Sequence, residues 1–220
     1  MKFFLDTAHL ESLIRAKNTG LIQGATTNPT HLSKEKENST SLIKKIATAL
    51  YPFDVSVEVT EKSAESVYNQ AIAIAAIAPN IVVKIPCHKE YLPVIHTLVN
   101  EGIALNITLL FSAVQGLCMA QLQVKYISPF IGRLDDIDQD GIDLIKDLKT
   151  ILTHYNYSTQ ILAASLRSVL HVHHAALAGA HCATMPVQVF ETLLDHPLTD
   201  KGIMLFNEDW KKLGISRFPE

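Results

Sequence analysis

An α/β chain closing into a (β/α)8 TIM barrel, with one additional helix at its C-terminal end, is what three observations on the sequence predict. Short β-like runs alternate with longer helix-like ones along all 220 residues. Eight such runs occur, the number a closed parallel barrel requires. No Pro/Gly/Ser-rich linker interrupts them, so residues 1–220 read as a single domain with residues 198–213 as the appended helix. The chain is short for a barrel of this kind, which typically takes about 250 residues. A doubly wound open sheet is the rival, but no GxGxxG turn follows the first run.

In chain order the strand candidates are "KFFLDT" (2–7), "GATTNP" (24–29), "DVSVEVT" (54–60), "IVVKIP" (81–86), "ALNITLL" (104–110), "YISPFIGR" (126–133), "QILAASLR" (160–167) and "HCATMPV" (181–187). The first stops at an acid, the second and fourth at a proline, and the third alternates valine with polar residues. Helical patterns fill the gaps, for example Ser63 to Ala78, His88 to Glu101, Gly141 to His154 and Ser168 to Gly179. Gly102 and Gly179 stand where helix C-termini are expected. In the tail, Ile203, Phe206, Trp210 and Leu213 recur at three-to-four spacing, an apolar stripe that needs a surface to cover it.

Several classes are excluded. A net charge of −3 offers no footprint for nucleic acid or an anionic membrane. The start "MKFFLDTAHL" is neither a signal peptide nor a span, and "AIAIAAIAP" (71–79) is too short to cross a bilayer. Cys87, Cys118 and Cys182 are odd in number and widely spaced, as reduced thiols of a cytoplasmic protein would be. Cys87 and Cys182 read as small core residues.

Period-two alternation then sorts each strand into two faces. One face carries Thr26 and Asn28, Ser56 and Glu58, Val82 and Lys84, Asn106 and Thr108, Ser128 and Phe130, and Ala163, Ser165 and Arg167, with Asp6 ending the first strand. The other is apolar: Val55, Val57, Val59, Val83, Ile85, Ile107, Leu109, Ile127, Ile131, Leu162 and Leu166. A polar group buried in a barrel lumen needs partners or costs several kcal/mol. Polar groups repeated near strand C-terminal ends therefore point to a shared ligand, because barrel active sites lie there.

Lys84, alone inside an apolar run, is the sharpest member. A strand-end lysine can simply lay its stem over apolar surface. Among lumen polar groups it reads instead as an amine whose desolvation favours the neutral nucleophile, with no carboxylate partner needed to keep it charged. No metal-ligand spacing is convincing; "HVHH" (171–174) lies in a helical pattern with His173 and His174 pointing apart. An amine, carboxylates and hydroxyls without metal or cofactor suit Schiff-base chemistry on a polyhydroxy carbonyl compound.

The chain resembles the small transaldolases, which include fructose-6-phosphate aldolase-like proteins. The likeness rests on "GATTNPT", "VSVEVT", "NIVVKIP", "LNITLLFSA", "YISPFIGRLDDI", "LAASLRS" and "GAHCATMP", in order over nearly the whole chain. It implies Lys84 as the Schiff-base lysine and Asp6 as the acid/base for carbon–carbon cleavage. Glu58 would move protons through a water near Thr108. Asn28, Asn106, Ser128 and Phe130 would contact substrate, and Ser165, Arg133 and Arg167 would hold the phosphate. The resemblance further implies sugar-phosphate substrates, no cofactor, no metal, and a pentameric ring or decamer assembled through the C-terminal helix.

Plainer roles remain open for some of these. Asp6 suits a helix cap and Asn28 a turn before Pro29. Arg133 has Asp135 and Asp136 within reach for an ordinary ion pair, and Phe130 can serve as packing alone. Within the family, lyase members carry Gln and Tyr where this chain has Glu58 and Phe130, so the transferase branch is favoured. A barrel that lost its chemistry and serves as a scaffold is the contrasting class. "AQLQVKY" (120–126) and "CHKEYLPVI" (87–95) depart from the family pattern, outside the catalytic set.

Overall fold

The computed structural model describes residues 1–214 and Arg217. Its first unit, Met1–Phe190, is a closed barrel of eight parallel strands taken in chain order. β1 (Lys2–Asp6), α1 (Leu10–Asn18) and β2 (Ile22–Thr26) are followed by α2 (Pro29–Leu32), α3 (Ser39–Leu50), β3 (Asp54–Glu58) and α4 (Ala64–Ala75). β4 (Ile81–Pro86), a 3-10 turn (Lys89–Tyr91), α5 (Leu92–Asn100), β5 (Leu105–Leu110), α6 (Ala113–Gln121) and β6 (Tyr126–Pro129) continue it. α7 (Ile131–Asp135), α8 (Gly141–His154), β7 (Gln160–Ala163), α9 (Val169–Leu177), β8 (Cys182–Met185) and α10 (Val187–Glu191) complete the circuit. β8 closes on β1 with Phe4 beside Thr184.

The helices start where the sequence supplies caps. Ser63, Asp140 and Ser168 each accept a backbone N–H of the first turn, and Ser112 with Gln115 forms a reciprocal capping box. Gly102 and Gly179, at φ of +79° and +86°, follow α5 and α9 in the left-handed conformation that ends a helix.

Val55, Val57, Val83, Ile85, Ile107 and Ile127 are buried on the face opposite the polar lumen residues. Inside the barrel, Phe4, Val82, Tyr126, Leu162 and Cys182 form an apolar layer. Leu162 belongs to that layer because it is in register with Cys182. This corrects the phase that alternation gives for strand seven, which puts Ala163, Ser165 and Arg167 inside. The run "QILAASL" is apolar on both faces, so its pattern carries no phase. Leu109 is a second departure: at φ +54° it sits where the β5–β6 register shifts, and the bulge takes it out of the apolar outer face.

Strand ends also come earlier than the sequence suggests. The second strand runs from Ile22 to Thr26, leaving Asn28 to cap α2. The sixth stops at Pro129, which has no N–H to extend a ladder, so Arg133 lies on α7 and not on a strand. The seventh stops at Ala163, before Ser165 turns to φ +59°.

The second unit begins at Glu191 and contains α11 (Pro197–Lys212), within one residue of the expected helix at each end. No residue of α11 is buried, and Ile203, Phe206, Trp210 and Leu213 are all exposed. Among the described residues no helix is long and apolar enough to cross a membrane.

Candidate active site

Strand register builds the centre of the site. Glu58, the last residue of β3, lies beside Lys84 of β4, which lies beside Asn106 of β5. Lys84 is buried, 5% exposed, with Nζ 2.9 Å from Glu58 Oε2 and donating to the Thr27 carbonyl at 3.2 Å. The amine is therefore paired, which corrects the reading of a lysine without a carboxylate partner. An unpaired buried ammonium would cost several kcal/mol. The fold keeps Lys84 inside by placing a proton acceptor against it.

The neighbouring groups fall into two kinds. Asn106 is bonded at both ends of its amide: Nδ2 donates to Ser56 Oγ at 3.1 Å, and Oδ1 accepts from Ser128 Oγ at 2.7 Å. Thr108 is fully buried, yet its Oγ1 has no hydrogen-bond partner among the described residues. The bulge at Leu109 directly follows it. A buried hydroxyl left unpaired beside strained backbone is a feature that calls for a function.

Asp6 occupies the opposite side of the lumen. Its Oδ1 accepts from Thr26 Oγ1 at 2.7 Å, and that hydroxyl lies 2.7 Å from Thr184 Oγ1. Its Oδ2 is 3.4 Å from His31 Nε2. Burial alone would push the Asp6 carboxyl upward, but the His31 contact, the Lys84 charge and the Thr26 bond together hold it below the usual carboxylate range. Among the described residues Asp6 makes no helix-cap bond; His9 caps α1 instead.

Asp6, Asn28, Lys84, Ser128, Phe130, Arg133 and Ser165 line one cavity of about 190 Å³, together with Thr26, Ala164 and Thr184. Glu58 and Asn106 reach it through Lys84 and Ser128. Asn28 uses Oδ1 to accept the His31 backbone N–H at 2.9 Å, leaving its NH2 end for a ligand. Phe130 stacks edge-on against Phe111, ring centroids 5.9 Å apart, with the Arg133 guanidinium 5.4 Å above its ring.

Arg167 is placed differently. Its two terminal nitrogens both donate to Asp136, one of them at 2.5 Å, and it is not among the cavity's lining. Of the two aspartates within reach of Arg133 in the sequence, Asp136 thus holds Arg167 instead. Gly132 lets this corner close up: a Cβ there would lie 2.5 Å from the Ser165 carbonyl oxygen and 2.7 Å from Arg167 Nε. No group of three or more His, Cys, Asp or Glu residues could hold a metal among the described residues. In "HVHH", His171 Nδ1 accepts the Arg167 backbone N–H at 3.2 Å and its Nε2 lies 3.4 Å from Asp135.

A barrel with a buried lysine, two carboxylates and a hydroxyl-lined cavity at its strand ends matches more than one enzyme class, and sequence relatives narrow it. The family model described as Transaldolase/Fructose-6-phosphate aldolase matches residues 3–216. The chain belongs to that family. A "Probable transaldolase" of Lactiplantibacillus plantarum is 50% identical over 211 residues, 96% of this chain and 97% of the relative. "Probable transaldolase 2" of Listeria monocytogenes is 47% identical, covering 96% of each chain. A "Probable transaldolase" of a Thermoanaerobacter species is 44% identical over 98% of this chain and 99% of its own length.

Membership in the transaldolase/fructose-6-phosphate aldolase family joins two reaction types, so the residues around the cavity carry the distinction. Among the polar residues there the sequence reading misses Thr184, through which β8 reaches Thr26, and His31. Thr184 sits in "HCATMP", where period two gives it the Cys182 face. His31 leaves no signal of that sort, because α2 is a single short turn whose direction depends on the Asn28 cap.

Proposed function

We propose that the chain is a transaldolase, a transferase of the Schiff-base-forming class. It would carry a dihydroxyacetone unit from sedoheptulose 7-phosphate to glyceraldehyde 3-phosphate, yielding erythrose 4-phosphate and fructose 6-phosphate in the non-oxidative pentose phosphate pathway. The observation that supports this best is the buried Lys84 Nζ, 2.9 Å from Glu58 and lining the same cavity as Asp6.

Glu58 takes a proton from the Lys84 ammonium, and the neutral amine attacks the C2 carbonyl of the donor. The resulting carbinolamine loses its C2 hydroxyl as water, protonated through Glu58 and a water held by the Thr108 hydroxyl, and an iminium remains. Asp6 then removes the C4 hydroxyl proton. The C3–C4 electron pair moves into the iminium, the aldehyde product leaves, and an enamine stays on Lys84. Its C3 attacks the acceptor aldehyde, Asp6 returns the proton to the new hydroxyl, and water releases fructose 6-phosphate. Asn28 and Ser128 hold the sugar hydroxyls. Arg133 and Ser165 take the phosphate, with Arg167 joining once Asp136 gives up part of its fork.

Phe130 favours transfer over release. Its ring packs against Phe111 and under Arg133 and brings no hydroxyl that could deliver a proton to the enamine carbon. The fructose-6-phosphate aldolase reading, with free dihydroxyacetone as product, is the alternative. A cytoplasmic ring oligomer, pentameric or decameric, built on the exposed apolar residues of the appended helix 198–213, accompanies the proposal. Borohydride reduction with fructose 6-phosphate should fix a three-carbon or sugar adduct on Lys84, absent in Lys84→Arg. With sedoheptulose 7-phosphate and glyceraldehyde 3-phosphate, erythrose 4-phosphate should exceed free dihydroxyacetone. No adduct would overturn the Schiff-base mechanism and leave a scaffold barrel; dihydroxyacetone as the main product would make the chain the aldolase.

A further inference from the structure

Asp6 has a neighbour that comes from a loop turn and not from a strand, His31. α2 is a four-residue turn entered through Pro29, and the Asn28 side chain caps it by accepting the His31 N–H at 2.9 Å. Proline and cap together fix the His31 backbone. Its imidazole then sits with Nε2 3.4 Å from Asp6 Oδ2, the two side chains 24% and 25% exposed. The remaining Asp6 oxygen is held by Thr26, itself bonded to Thr184. Asp6 is thus gripped from β2 and α2 at once.

We propose that His31 is a positioning residue for Asp6, donating Nε2–H to Oδ2 so that the carboxylate is held ionised and turned toward the reacting hydroxyl. The proposal rests on the transaldolase-type role of Asp6 given above. In the cleavage step the substrate's C4 hydroxyl proton passes to Asp6 as the C3–C4 bond breaks. The same proton returns to the acceptor's oxygen as the new bond forms. His31 transfers no proton in either direction; it sets the aim and the charge of the group that does. A contact of 3.4 Å is at the long end for a hydrogen bond, and such contacts commonly tighten in the substrate complex.

The charges around Asp6 support this division of labour. Lys84 of β4 and His31 of α2 are the charged or titratable groups acting on it, and Glu58 of β3 faces Lys84 from the other side. Burial favours the protonated carboxyl; the His31 contact is the largest of the effects that oppose it, ahead of the Lys84 charge and the Thr26 bond. Once Lys84 is converted to an enamine it carries no ammonium. His31 then remains as an N–H partner of Asp6 at the moment when Asp6 must hold, and afterwards surrender, the transferred proton.

His31→Leu and His31→Gln test the proposal. A leucine removes the donor at similar bulk; a glutamine keeps an N–H on Nε2. Borohydride trapping on Lys84 should remain intact in both, since Schiff-base formation precedes the Asp6 step. In His31→Leu, kcat for transfer should fall about 10- to 100-fold, the scale of a misaimed catalytic group, with KM little changed. Because Asp6 works as the carboxylate, losing the partner that holds its pKa down should shift the acid limb of the kcat–pH profile to higher pH. His31→Gln should recover most of both effects. Wild-type kcat and an unmoved acid limb in the leucine variant would overturn the role of His31 while leaving the lysine chemistry standing. A loss confined to KM would do the same. A wild-type chain that cannot be trapped on Lys84 would overturn both readings together.

Discussion

The two mouths of the barrel are built from similar groups. At the N-terminal mouth, Lys125 Nζ lies 2.7 Å from Asp54 Oδ2, and the Tyr126 hydroxyl donates to the same oxygen at 2.7 Å. That mouth holds the larger hollow, about 290 Å³ against about 190 Å³. The ion pairs differ in where they stand. The Lys125 side chain is 40% exposed and Asp54 19%, whereas Lys84 is 6% and Glu58 13%. The first pair is in contact with water; the second is nearly shut off from it. At the C-terminal mouth there is also an unpaired buried hydroxyl on Thr108 and left-handed backbone at Leu109 and Ser165. A lysine–carboxylate pair beside a cavity does not by itself mark an active site. Burial of the pair, an orphaned hydroxyl and left-handed backbone at a residue that lines the cavity, Ser165, single out the C-terminal mouth as the candidate site.

The sharpest way to break the comparison is to remove one hydroxyl from each mouth. Thr108→Val deletes a buried group that has no partner, so the folded state should lose nothing and gain up to about 1 kcal/mol. Activity should drop about 100-fold if that hydroxyl holds the water of the proton-transfer steps. Tyr126→Phe should do the reverse. It removes a bond to a charged carboxylate in a phenol whose pKa burial and Asp54 push well above the ordinary value. Stability should fall by about 1.5–3 kcal/mol with turnover nearly intact. Chemical denaturation and steady-state rates on both variants decide the matter; parallel losses of stability and activity in each would mean the two mouths are not functionally distinct.

A smaller effect sharpens the strain argument. Gly132 faces the Ser165 carbonyl, so Gly132→Ala must push backbone as well as the Arg167 side chain. Overpacking of that sort costs about 1–3 kcal/mol. The displacement moves Ser165 and Arg133, so KM for phosphorylated substrates should rise about tenfold while unphosphorylated analogues change little. Equal changes for both substrate types would detach this corner from phosphate binding.

What could be read from the chain follows from how each feature is encoded. The barrel is legible because eight apolar runs alternate with helical patterns, and the shared face of Glu58, Lys84 and Asn106 because period two sorts each strand; register in the fold then brings the three side by side. β7 was misphased because a strand apolar on both faces carries no phase in its pattern. Ser165 still reaches the cavity, through its left-handed turn and not through alternation. The partner of Lys84 was in plain view as Glu58, but proximity in register does not tell whether two side chains meet. The Arg167–Asp136 pair joins the end of the seventh strand region to α7, a contact that needs Gly132 to be small. His31 was beyond the reach of periodicity, since a single capped turn has none.

The smallest effect isolates Asp6 by pH. Asp6 has its pKa held below the ordinary carboxylate value by His31, Lys84 and Thr26, against the opposing pull of burial. A depressed pKa means that the folded state binds its proton less readily than the unfolded chain. The stabilisation is therefore fully present above the unfolded value of about 3.9, and it disappears as pH falls through the lower folded one. Asp6→Asn keeps the shape and the acceptor for Thr26 but turns an NH2 toward His31. It should be less stable than wild type at pH 7, and the gap should narrow once the pH drops below about 4, where the Asp6 carboxylate of the unfolded chain begins to take up a proton that the folded state still refuses. Urea denaturation of both proteins between pH 7 and pH 3 measures that gap directly. A gap independent of pH would show that the lumen does not favour the charged form of Asp6, and the acid/base role would then have to be carried by Glu58 alone.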